Sequence, residues 1–254
     1  MKTGLVMRTL VLATILIVAG PAQAAEIDAL ITTAMKAAID ELVPSFERGS
    51  GHTVRVSYGP SGGIARRFIG GEPADVIVID SGALGDLIRQ GKVLPGPTAI
   101  ARTGIGICVR KGAPKPDIST VEKFKQALLA AKSVAYIDPA SGGSSGIYID
   151  KLLVKLGIAD QIRPKAKLKK GGLVADLIVS GEAELGIHQI SEIVPVKGAA
   201  LVGPLPEEIQ NSTIYAAALS ASVKDKDAAI ELIEYLSGPD AAAVLKSKGM
   251  EPAK

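Results

Sequence analysis

Two glycine-rich turns hold the residues of this chain best suited to bind an anion. They are Tyr58-Gly59-Pro60-Ser61-Gly62-Gly63-Ile64-Ala65-Arg66-Arg67 and Asp138-Pro139-Ala140-Ser141-Gly142-Gly143-Ser144-Ser145-Gly146-Ile147-Tyr148. Each opens directly into a stretch with helical spacing. The first backbone N–H groups of a helix have no intrahelical acceptor and lie at the positive end of its dipole. With serine hydroxyls among them, they can hold an oxyanion without a metal. The candidate donors are Ser61 and Gly62 in the first turn, and Ser141, Ser144 and Ser145 in the second. Thr32 and Thr33 precede an apolar helix, where they either cap it or add hydroxyls to the same ligand. Arg66, one turn into its helix, is either a solvated or lobe-stabilising charge or one arm of a carboxylate clamp. His188 and Gln189 follow a predicted strand and complete the set.

The elements that must position these groups follow from periodicity. Short strands are expected at Glu26–Ile31, Thr53–Tyr58, Val134–Ile137 and Ala183–Ile187, and extended segments at Ile100–Arg110, Leu201–Leu205 and Thr213–Leu219. The apolar run from Pro73 to Asp80 reads as a strand buried on both faces of a mainly parallel sheet. Helices are expected at Ala34–Val43, Ala83–Gln90, Thr120–Ala131, Ser144–Leu156, Leu173–Val179, Asp227–Leu236 and Pro239–Lys248. Alternation of strand and helix specifies an α/β fold, in which ligands sit beyond the carboxyl ends of strands. Gly71-Glu72-Pro73-Ala74-Asp75 and Gly181-Glu182-Ala183-Glu184 each link a helix to a buried strand, as expected of two lobes built alike.

Composition narrows the function classes. The chain has 254 residues, enough for one large domain or two small ones, with 47% apolar and 22% charged residues. Aromatics are 3% with no Trp, leaving few platforms on which bases could stack, so nucleic acid is not an expected partner. Residues 1–24 carry a basic start, an apolar run and Ala22-Gln23-Ala24, the pattern of a signal peptide cut before Ala25. Without Lys2 and Arg8 the formal charge falls from +3 to +1, which gives no long-range pull on polyanions. Cys108 is the single cysteine and is read as a small buried hydrophobe. The chain is read as having no GxSxG elbow, no HExxH and no cysteine-rich cluster, so no metal and no cofactor are expected and a hydrolase reading is set aside.

Several of these stretches together resemble a known family. Ser45-Phe46-Glu47-Arg48 with Gly51, Gly59 to Arg66, Gly71 to Val76, Gly181-Glu182-Ala183 and Leu236-Ser237-Gly238-Pro239 are similar to the periplasmic molybdate-binding proteins of ABC importers, class II solute-binding proteins. The resemblance implies a two-lobed α/β periplasmic protein with a ligand cleft between lobes, working as a monomer that delivers a small anion to an ABC permease. Residues 25–102 and 214–254 would form lobe one, and 103–213 lobe two. Ala34 stands where the family carries a serine, and His188-Gln189 where it carries a tyrosine. Those departures suit a small organic carboxylate at least as well as molybdate. The aconitate isomerases resemble the same family, and in that alternative His188 is the candidate base.

Overall fold

The computed structural model describes residues 24–253. The expected signal peptide, residues 1–24, lies outside the described residues apart from Ala24.

The chain starts as three β–α units: β1 (Glu26–Thr32), α1 (Lys36–Ser50), β2 (Thr53–Gly59), α2 (Ser61–Ile69), β3 (Val76–Asp80) and α3 (Ser81–Arg89). Strands β1, β2 and β3 run parallel, with β1 between the other two. Val76, Ile77, Val78 and Ile79 are fully buried, as expected of a strand covered on both faces. One layer centres on Ile39, Leu42 and Phe46, the other on Ile64, Leu84 and Leu87. After β4 (Thr98–Thr103) the chain leaves this sheet at Gly104 and enters a second one through β5 (Ile105–Arg110). The extended segment expected from Ile100 to Arg110 is therefore two strands in two sheets.

The second sheet adds β6 (Val134–Ile137), β7 (Ala166–Lys169), β8 (Leu185–Gln189) and β9 (Ala199–Pro204), in spatial order β7-β6-β8-β5-β9. Around it lie α4 (Val121–Ala130), α5 (Ser144–Lys155), α6 (Ala159–Ile162), α7 (Ala175–Ser180) and α8 (Ile190–Ile193). The chain then returns through β10 (Thr213–Leu219) and closes with α9 (Lys226–Ser237), α10 (Pro239–Ser247) and β11 (Glu251–Pro252). The first sheet is thus ordered β11-β4-β10-β3-β1-β2. The two sheets with their helices form two α/β lobes, joined by the crossings into β5 and into β10.

Gln210 pins the two crossings together. Its Oε1 accepts from the Ile105 N–H at 2.8 Å, and its Nε2 donates to the Ile105 carbonyl at 3.0 Å. The Lys224 to Asp227 charge run is exposed but not idle, since Lys224 Nζ binds Asp28 at 2.7 Å and Asp225 caps α9. Cys108 is fully buried, and burial pushes its thiol well above the ordinary range. Among the described residues no helix is long and apolar enough to cross a membrane.

Candidate functional site

The carboxyl ends of β1, β2 and β3 in one sheet and of β6 and β8 in the other converge on a cavity between the lobes. Thr32, Thr33, Ser61, Ser144, Ser145 and His188 all line it. The cavity is small, about 20 Å³. Helix α2 begins at Ser61 and α5 at Ser144, which brings two helix N-termini to one cavity from opposite lobes. No Lys or Arg lines the cavity, so oriented N–H groups and hydroxyls are what it offers to negative charge.

Each jaw is held by its own chemistry. Ser61 is buried; its Oγ donates to Thr32 Oγ1 at 3.2 Å and accepts from the Asp80 N–H at 3.1 Å. Neither Thr32 nor Thr33 caps the following helix with its side chain; a turn of 3₁₀ helix, Thr33–Met35, precedes α1 instead. The hydroxyl pair Ser61–Thr32 therefore faces the cleft as one unit. In the other lobe, a Cβ on Gly146 would sit 2.2 Å from the Ile137 carbonyl oxygen, so only glycine lets α5 dock on the end of β6. The glycines of this turn thus serve close packing against the end of β6.

Four expected ligand residues lie beside the cavity rather than in its lining. The Gly62 N–H is taken by the Gly142 carbonyl of the other lobe at 3.0 Å. Arg66 Nη2 donates to the Ser141 carbonyl at 2.8 Å, so of its two sequence readings the lobe-stabilising one matches the contact it makes. Ser141 Oγ donates to the Asp138 carbonyl at 2.7 Å, closing its own turn. Gln189 is buried behind the wall, with Nε2 donating to Thr213 Oγ1 at 3.0 Å and Ser144 Oγ at 3.4 Å. Together Gly62, Gly142, Arg66 and Ser141 form a latch across the mouth.

Sequence reasoning missed two lining residues that matter, Glu192 and Tyr215. Glu192, on α8 four residues after His188 of β8, has its Oε2 3.1 Å from His188 Nε2, and both side chains are buried. Among the described residues His188 Nδ1 has no hydrogen-bond partner. Desolvation, helped by the charge of Lys169, lowers the imidazole to about 3, while desolvation raises the Glu192 carboxyl to about 8. Near pH 7 the pair therefore stays in the cavity wall as a neutral imidazole beside a neutral acid. The i, i+4 spacing was the available signal for Glu192. Tyr215, on β10, is pushed well above the ordinary phenol range, chiefly by burial, and its ring closes the floor.

The expectation of no G-x-S-x-G is corrected by the sequence itself, which spells it at Gly142-Gly143-Ser144-Ser145-Gly146 and at Gly59-Pro60-Ser61-Gly62-Gly63. Among the described residues no histidine is hydrogen-bonded to Ser144; its side-chain partner is the Gln189 amide. An amide cannot take the hydroxyl proton, so Ser144 stands as a hydrogen-bonding group and not as an activated nucleophile. Among the described residues no group of three or more His, Cys, Asp or Glu is placed to hold a metal ion.

A family model for bacterial extracellular solute-binding proteins matches residues 27–251. The chain belongs to this family. Among relatives of this solute-binding protein, the aconitate isomerase of a Pseudomonas species is 33% identical over 255 residues, spanning 96% of each chain. The molybdate-binding protein ModA of Azotobacter vinelandii is 27% identical over 237 residues and 90% of each chain. The solved periplasmic molybdate-binding protein of Azotobacter vinelandii superposes with a TM-score of 0.76 at 21% identity, covering 90% of this chain and 100% of its own. Family members are periplasmic solute-binding proteins.

Proposed function

We propose that this protein captures a small organic carboxylate in the cleft between its lobes and hands it, as the periplasmic component, to an ABC importer permease. The observation that carries this reading is the pairing of two helix N-termini, at Ser61 and Ser144, across a cavity whose wall also holds His188 and Glu192. Donors arranged around an anion suit any oxyanion. A neutral imidazole and a neutral carboxyl group add directional hydrogen bonds, which favours a ligand with several distinct oxygens over a tetrahedral ion. Each hydrogen bond to a charged acceptor contributes about 1.5–3 kcal/mol, so four or five support micromolar binding, which requires about 8 kcal/mol.

Thermal shift with molybdate, tungstate, sulfate and a panel of di- and tricarboxylates tests the reading. A ligand at about 100 times its Kd should stabilise the protein by about 2.7 kcal/mol. Stabilisation by a carboxylate is expected; stabilisation by molybdate alone, or by no anion, overturns it.

A second reading, isomerisation of a tricarboxylate such as aconitate, is favoured by the His188–Glu192 contact at 3.1 Å inside the cavity. There the imidazole would take a proton from a carbon beside a carboxylate. The allylic anion would be held by the helix N-termini, and the proton returned to the other allylic carbon, so the double bond shifts with no change in composition. Incubation with cis- or trans-aconitate in heavy water separates the two readings: a carrier leaves the pool unchanged, and an isomerase converts it with deuterium in the product.

A further inference from the structure

Resting on the carboxylate reading above, we infer that Glu192 fixes the tautomer of His188, so that His188 Nδ1 presents a hydrogen to the bound anion when Glu192 is protonated and a lone pair when it is not. Glu192 is a positioning residue in this scheme; His188 makes the contact.

The geometry leaves few alternatives. Nε2 is 3.1 Å from Glu192 Oε2, a hydrogen-bond distance, so one proton lies between them. If the carboxyl group carries it, Nε2 accepts and the single proton of a neutral imidazole must sit on Nδ1. If the carboxyl is ionised, Nε2 carries the hydrogen, donates to it, and Nδ1 is an acceptor. Nδ1 is buried, without a partner, on a residue that lines the cavity, so the ligand is the partner available to it. In the first state it donates to a carboxylate oxygen. In the second, a lone pair faces an anion with a charged Glu192 behind it, and both repel.

The groups that bear on the pair come from three further elements. Lys169 on β7 acts on His188, and Tyr215 on β10 faces Glu192, with Asp80 of β3 also acting on Tyr215. Strand β5, which flanks His188 through Gly106, brings Cys108, whose thiol burial keeps protonated. Burial raises the Glu192 carboxyl to about 8, which sets the pH range in which the proton between it and His188 is lost.

Binding should therefore weaken as the medium turns alkaline, by about fivefold in Kd from pH 8 to pH 9, since the one proton lost per site is already half released at pH 8. The same switch separates carrier from isomerase. Only the ionised form leaves Nδ1 able to take a proton from carbon, so an isomerisation rate would rise through the range in which affinity falls.

Two measurements on the full mature chain test this. The chain has two histidines, so ¹⁵N spectra of histidine-labelled protein contain two sets of ring signals, and His188→Asn assigns them. Without any ligand, His188 is expected as the Nδ1–H tautomer at pH 7, passing to Nε2–H near pH 8. In Glu192→Gln, whose amide N–H still donates to Nε2, the Nδ1–H form should persist at both pH values. An Nε2–H tautomer at pH 7, or a switch that survives in Glu192→Gln, overturns the inference. Calorimetry with tricarballylate, which cannot isomerise and is fully ionised throughout, should show the fivefold fall in the unmodified protein and none in Glu192→Gln; a flat profile in the unmodified protein overturns it. If the spectra switch as expected while no carboxylate binds at any pH, the carboxylate reading and the ligand half of this inference fall, and the tautomer assignment stands.

Discussion

The two histidines of this protein occupy matching settings with opposite consequences. Both are buried, and both place Nε2 within about 3 Å of a glutamate: Glu231 at 3.3 Å for His52 and Glu192 at 3.1 Å for His188. Beyond that they diverge. His52 Nδ1 accepts the Ala25 N–H at 3.0 Å and its ring packs by Phe46, while Glu231 is half exposed to water. Both ring nitrogens of His52 are spent, Nδ1 on the start of β1 and Nε2 on helix α9. His188 has a buried glutamate, an unpartnered Nδ1 and a cavity beside it. A buried polar group costs about 1–3 kcal/mol when unpaired, a cost tolerated where a ligand supplies the partner. The contrast teaches that the residue pair says little by itself; the unspent hydrogen bond marks the site.

Truncating each histidine tests that contrast directly. His188→Ala removes a donor to a charged ligand and should weaken carboxylate binding by about ten- to a hundredfold, read by calorimetry. His52→Ala should leave affinity unchanged and lower stability by about 1–2 kcal/mol, a Tm fall of roughly 2–8 °C for a chain of this size. Equal affinity losses in the two variants would erase the distinction.

The contrast also assumes that the lobes shut onto His188, which places weight on the latch. Gly142 sits at φ +83°, and a Cβ there would lie 2.9 Å from Arg66 Nη1 and 3.0 Å from Gly62 Cα in the opposite lobe. Gly142→Ala should weaken binding by about tenfold through the closed state and cost about 1–2 kcal/mol in stability through the left-handed backbone. Gly157, at φ +70° with open space around it, isolates the second term. Gly157→Ala should lower Tm by a similar amount and leave affinity alone. If both variants bind as the unmodified protein does, the Gly62–Gly142 contact has no part in closure.

The sequence made some of this legible and not the rest, for physical reasons. The jaws were readable because serine and glycine before a helix have one strong local meaning, and β3 because four consecutive buried aliphatics do. Strand β7, Ala-Lys-Leu-Lys, carries no apolar strand signal because it lies at the sheet edge, half exposed, and takes its hydrogen bonds from β6. The latch was hidden because Gly62 and Gly142 meet only once two lobes close. Glu192 was hidden because a glutamate in a short surface-like segment is ordinarily solvated; only its burial, a tertiary fact, makes it a neutral acid.

The smallest effect concerns stability against pH, and it separates the two glutamates. Burial raises the Glu192 carboxyl to about 8, so between its unfolded value near 4.5 and 8 the folded state holds a proton the unfolded state has released. Stability therefore falls as pH rises through that window. His188, lowered to about 3, gives the opposite slope between 3 and 6.5, where the unfolded chain binds the extra proton. The two slopes cancel from 4.5 to 6.5, and only the Glu192 slope remains from 6.5 to 8. Its limit is about 1.4 kcal/mol per pH unit, or about 2 kcal/mol over the interval, a Tm fall of roughly 4–8 °C. Glu192→Gln should remove this fall while keeping the hydrogen bond to Nε2. Glu231→Gln, altering a carboxylate with a side chain 54% exposed, should track the unmodified protein at every pH to within about 1 kcal/mol. Melting curves at pH 6.5 and 8 for the three proteins decide the matter. If Glu192→Gln keeps the full alkaline loss, the carboxyl is ionised in the folded protein at neutral pH, and His188 stands in the same chemical state as His52.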